Sequence, residues 1–174
     1  MSVDPKRVFT TAEVYRASAQ VLSKFIANGM PHYMFPMVTC SAFSLELYLK
    51  CLILIEGNES EKSHDLERLF SSLAGESQIA IRTNYQKCAI HETAKLFAAR
   101  GMPPHPSTDF DFVLHASASA FENFRYAYEG IRKNPAGWMA DPIRDCVRER
   151  ILESYRDWEN LPYGFGGPLL PPGI

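Results

Sequence analysis

Two stretches of this 174-residue chain gather side chains able to do chemistry. In SLELYLKCLILIEG, Glu46 and Lys50 stand one helical turn apart, and His64 and Asp65 follow in SHDLERLF. In FENFRYAYE, Glu122, Arg125, Tyr126 and Glu129 sit among aromatic rings. Glutamate ahead of lysine at this spacing is the favoured order for a helical ion pair. A lysine ringed by Leu, Tyr and Ile needs such a partner to stay charged, and Asp65 is a second candidate for that role. A pair lying on the rim of the core, with the lysine stem covering apolar surface, satisfies the same pattern. His64 falls in the first turn of a helix, where its ring can bond a backbone carbonyl or the partner of Lys50. Arg125 reads either as an arginine held between Glu122 and Glu129 over aromatic rings or as a guanidinium presented to phosphate.

Other chemistries find no support in the residue pattern. HETAK at 91–95 approaches the zinc-protease helix motif, but Lys95 stands where the second histidine ligand belongs. Cys40, Cys51, Cys88 and Cys146 form no CxxC pair, so neither a zinc site nor a redox motif is expected, and they read as small buried thiols. Gly164, Gly166 and Gly167 open no helix and make no phosphate loop, and no GxSxG turn presents a serine nucleophile. No metal and no cofactor is expected.

The elements that must position these groups are helices. The stretch 37–56 is apolar on nearly every side, with Pro36 tolerated in its first turn and Gly57-Asn58 supplying a left-handed exit. A helix of this kind is surrounded by protein or lipid, and charges at its centre favour protein. Ahead of it, Thr10 and Glu13 suggest a capping box, with Val14, Ala17, Val21, Leu22, Phe25 and Ile26 recurring at helical spacing up to Asn28-Gly29. Behind it, Ser63 reads as a cap for a short helix carrying Leu66, Leu69, Phe70 and Leu73, closed by Gly75. A longer helix is expected over 78–99, then a proline-rich loop at 100–108, then a helix over 109–134 capped by Asp109 and bearing two apolar faces. Asp141-Pro142 announces the last helix, whose stripe is Ile143, Val147, Ile151, Tyr155 and Trp158, with Arg144 and Arg148 on a solvated opposite side. No strand pattern or repeat interrupts this. The expectation is all-α: an up-and-down bundle of five or six helices in one domain, 1–160, with a Pro/Gly-rich apolar tail, 161–174.

Charge narrows the partners. Eighteen Lys and Arg against twenty Asp and Glu leave a net charge of -2, so no global positive field gathers nucleic acid. RNA would have to be met by a local patch. The first residues hold no apolar run of signal-peptide type, which places the chain in the cytoplasm and off the membrane as an expectation.

ELYLK followed by a glycine loop, the HDL helix start and the aromatic FRYAYE segment resemble the HEPN family, small all-α domains of toxin-antitoxin, phage-defence and stress-response systems. The resemblance runs over about 41–129. It implies a helical module that pairs with itself or with a partner protein. In ribonucleases of that family an Arg-x4-6-His motif on one helix cleaves RNA without metal, the two copies of a homodimer converging on the backbone. Only Arg100 and His105 fit that spacing here, across Gly-Met-Pro-Pro, and Gly101 stands where the family carries a polar residue. The expected function is therefore protein interaction or self-association as a homodimer, with metal-independent RNA cleavage as the alternative and Arg100, His105 and Arg125 as its candidates.

Overall fold

Asp4 and Pro5 start the first helix: the Asp4 carboxylate accepts from Lys6 N, and proline occupies the first turn. The computed structural model describes residues 3–59, 62–98, 109–125 and 140–161, with side chains of 89–98 outside the description. Its elements are α1 (Pro5–Ala27), α2 (Met34–Ile55), α3 (Leu66–Ser71), α4 (Gly75–Ala98), α5 (Phe110–Ser117), α6 (Ala120–Arg125) and α7 (Asp141–Ser154). Two 3-10 turns, Pro31–Tyr33 and Arg156–Asn160, lead into α2 and follow α7. Among the described residues there is no strand, and the fold is an all-α bundle.

The capping box at Thr10 and Glu13 does not form. The chain is already helical there, the Thr10 and Thr11 hydroxyls donate back to the Lys6 and Arg7 carbonyls, and Glu13 is turned into the core. Asp4 is the earlier and better cap because a proline follows it. Both ends flagged by glycine do form. Gly29 (φ +87) and Gly57 (φ +84) close α1 and α2 in the left-handed region. In each case the residue after the glycine bonds back five positions, Met30 N to Phe25 O and Asn58 N to Ile53 O, a Schellman arrangement.

α2 is the centre. It packs most extensively on α1 and also meets α3, α6 and α7. Pro31–Ile55 is long and apolar enough to cross a membrane, yet most of it is buried inside the bundle. Leu45, Tyr48, Leu49, Cys51, Leu52 and Ile53 from this helix join Phe9, Leu66, Leu69, Phe70, Ile81, Leu114, Ile143, Val147, Ile151 and Trp158 in one core. Phe9 bridges the ends of the chain, its ring 5.6 Å from Tyr48 and 5.5 Å from Trp158.

Three boundaries differ from the sequence reading. Asp65, one residue before α3, caps it by accepting from Glu67 N and Arg68 N, while Ser63 accepts only from Asp65 N. Gly75 opens α4 instead of closing α3, because Ala74 N is tied to the Glu56 carboxylate at 2.7 Å and turns the chain there. The helix expected over 109–134 is broken within its described part. Ala118 N bonds His115 O, and the Ala118 carbonyl accepts from Leu66 N at the start of α3. A carbonyl lent to another helix leaves its own ladder, so α5 and α6 stand as two of the seven α-helices among the described residues, in keeping with the expected all-α bundle.

Candidate functional site

Glu46 lies in the middle of α2, 1% exposed, and its carboxylate is the hub of the first cluster. Lys50, one turn on, donates from Nζ to Oε1 at 2.7 Å. His64, delivered by the loop that Gly57 starts, places Nδ1 3.0 Å from both oxygens. The Lys50 side chain is mostly covered, whereas His64 is 46% exposed, so the imidazole spans from the buried carboxylate to solvent. Binding through Nδ1 leaves Nε2 on the far side of the ring, where it can exchange a proton with an incoming group.

Aromatic rings wall this cluster. Phe121 from α6 stacks on Phe43 at 4.8 Å, and the His64 ring lies 5.4 Å from the same Phe121. Arg125 is exposed one turn further along α6, its guanidinium carbon 5.7 Å from the Phe121 centroid. Glu122 is exposed on the same helix. The structure thus brings Glu46, Lys50 and His64 together and puts Arg125 beside them across one phenyl ring. Asp65 is not a partner of Lys50 in any ion pair given by the described residues; its carboxylate is spent on the α3 cap. Tyr126, Glu129, Arg100 and His105 lie outside the described residues.

A second polar cluster was invisible to the motif reading. Glu13, 3% exposed, accepts from Arg148 Nε at 2.6 Å, from Arg16 Nη2 at 2.8 Å and from the Tyr48 hydroxyl. Burial pushes the Glu13 carboxyl up, but the hydrogen bonds from Arg16, Arg148 and Tyr48 outweigh it and hold the group below the ordinary glutamate range. Burial also works against the charges on Arg16 and Arg148, yet their bonds to Glu13 hold both above the usual arginine value. For Tyr48, burial and then the Glu13 charge push the phenol well up, so it stays a donor.

Beside it, Arg144 donates from Nη1 to Ser41 Oγ at 2.8 Å and to Asp141 Oδ1 at 2.6 Å, and from Nε to Asp145 at 2.9 Å. Asp141 is the first residue of α7 and serves Arg144 and Ser41, not the cap foreseen for it. Arg144 and Arg148 are therefore not on a solvated face. One signal was available for Glu13: it shares a stripe with Phe9, Ala12 and Ala17, and a carboxylate on a core stripe requires a cation.

The cysteines are all free thiols, and Cys88 is exposed, against the expectation of four buried ones. Among the described residues no group of His, Cys, Asp and Glu is arranged to hold a metal ion. No protein-family model, curated protein or solved structure matches this chain.

Proposed function

We propose that this chain is a helical interaction module, a HEPN-like bundle that works by binding a partner protein or another copy of itself. One contrast carries the reading. The buried acids Glu13 and Glu46 each hold several internal donors, whereas Phe25 (38% exposed), Met30 (39%) and Met34 (46%) stand out at the α1–α2 tip. Ionisable groups engaged in this way tie helices together, and although Val3, Ile79 and Phe112 are also exposed elsewhere in the chain, three exposed apolar side chains on one hairpin tip offer a surface for a partner. ELYLK, HDL and FRYAYE supply the family resemblance, which favours the same module.

Metal-independent RNA cleavage is the second reading, and one feature favours it. A buried carboxylate orients the half-exposed His64 in the manner of an acid-base group, with the Arg125 cation across Phe121. Transfer of a phosphoryl group needs a second proton carrier beside the first, and among the described residues Lys50 is already bonded to Glu46. The discriminating experiment is incubation of the purified protein with single-stranded RNA in excess chelator. The binding reading expects intact RNA; cleavage abolished by His64→Ala, Arg125→Ala or His105→Ala establishes the nuclease instead.

A further inference from the structure

Cys88 and Cys146 meet across two packed helices. On α4, Cys88 stands one turn beyond Tyr85 and two beyond Ile81, continuing the stripe that these two buried residues begin. On α7, Cys146 adjoins Val147 on the face that carries Ile143 and Ile151 into the core. The two helices pack on each other, and Arg150 fixes their register at the other end of the contact, donating to Ser77 Oγ at 3.2 Å and to Glu76 at 3.3 Å. Where the helices meet, the Cys88 and Cys146 side chains hydrogen-bond thiol to thiol.

Among the four thiols this pair stands apart. Cys51 donates to the Pro5 carbonyl at 3.3 Å, and Cys40 lies eleven positions before it on the same helix, about 16 Å away along the axis. Cys88 is exposed, whereas Cys146 is buried. An oxidant arriving from solvent therefore meets Cys88, with Cys146 behind it as the second sulfur. Burial first, then the charges of Cys88 and Asp145, push Cys146 up to about 12. A sulfenic acid at Cys88 carries no thiolate charge, which removes that part of the upward push on its neighbour.

We infer that Cys88 and Cys146 form a reversible disulfide that staples α4 to α7 when the chain meets hydrogen peroxide. The Cys88 thiolate attacks one peroxide oxygen and the O–O bond breaks; the departing hydroxide takes up the proton the thiol had lost and leaves as water, with Cys88 now a sulfenic acid. The Cys146 sulfur then attacks the Cys88 sulfur, and the new S–S bond displaces the hydroxyl, which leaves as water with the Cys146 proton. Two thiols and one peroxide thus give one disulfide and two waters, and a dithiol reverses the step by exchange. The bridged residues are fifty-eight positions apart, and the ring they close runs through α5 and α6, the latter carrying Phe121 and Arg125 beside His64. Oxidation therefore ties the wall of the Glu46 cluster into a closed covalent loop.

The test exposes the reduced full chain to hydrogen peroxide and reads intact mass, non-reducing peptide maps and melting. A mass two hydrogens lower is expected, with a linked Cys88 and Cys146 peptide pair that dithiothreitol separates. A ring of this size should raise the melting temperature by about 5–10 °C. Cys146→Ser should instead stop at a Cys88 sulfenic acid, captured by dimedone, and Cys88→Ser should give neither bridge nor melting shift. Cys88 is exposed, so its serine variant should melt with the reduced native protein. Thiols that stay reduced, a cross-link between the Cys88 residues of two chains, a bridge to Cys40 or Cys51, or a Cys88 sulfinic acid with Cys146 still free overturns the inference. So does a bridged chain that melts no higher than the reduced one.

Discussion

Arg148 on the last helix donates from Nε to Glu13 Oε1 on the first at 2.6 Å, and the same oxygen accepts the Tyr48 hydroxyl of the central helix. One carboxylate oxygen thus joins α1, α2 and α7. Removing the shared acid leaves Arg16 and Arg148 without their buried counter-ion. Glu13→Ala should cost about 3 kcal/mol, and Tyr48→Phe, which deletes one donor of several, about 1 kcal/mol. Urea unfolding of the two variants checks the order; a smaller loss for Glu13→Ala than for Tyr48→Phe would contradict the hub.

The same acid gives a pH signature. Its folded-state value is depressed, so its contribution is fully present above the ordinary glutamate value of about 4.3 and is lost as pH falls through the lower folded value. The stability gap between the native chain and Glu13→Gln should be widest near neutrality and shrink as acid is added. A gap that widens on acidification would show that the carboxyl is held above its usual range.

At the other hub, Glu46→Leu should be costlier than Lys50→Met. Losing Glu46 strips both Lys50 and His64 of their acceptor, whereas losing Lys50 leaves His64 in place on the carboxylate. The expected costs are about 3 kcal/mol and about 1 kcal/mol respectively. Thermal melts in the reverse order would mean that the carboxylate, not its donors, is the group left stranded.

Thiol reactivity should follow burial. Burial pushes Cys51 up to about 12, and burial with neighbouring Cys88 and Asp145 does the same for Cys146, so both stay protonated at neutral pH. Cys88 is exposed on α4. Iodoacetamide footprinting by mass spectrometry should label Cys88 first and reach Cys51 and Cys146 only on unfolding. Early labelling of Cys51 would place α1 off α2.

Much of the bundle was legible in the sequence because helix signals are local. Gly29 and Gly57 marked their ends, Asp109 accepts from Phe112 N as a cap, and the stripe Leu66, Leu69, Phe70, Leu73 is fully buried. Glu46 and Lys50 were legible for the same reason, being one turn apart. Glu13, Arg144 and Arg148 were not, since their partners lie up to 135 positions away and mixed charge on a helix ordinarily means solvent. The break at Ala118 carries neither glycine nor proline; it follows from a bond to Leu66 that only the tertiary arrangement creates.

The claim that the exposed α1–α2 tip is the working surface is tested most directly by quantitative co-purification of the native chain against Phe25→Ser/Met34→Ser from the cells that make it. The account predicts a protein retained in stoichiometric amount by the native chain and lost by a variant whose melting temperature is unchanged. Retention of the same proteins by both would contradict it.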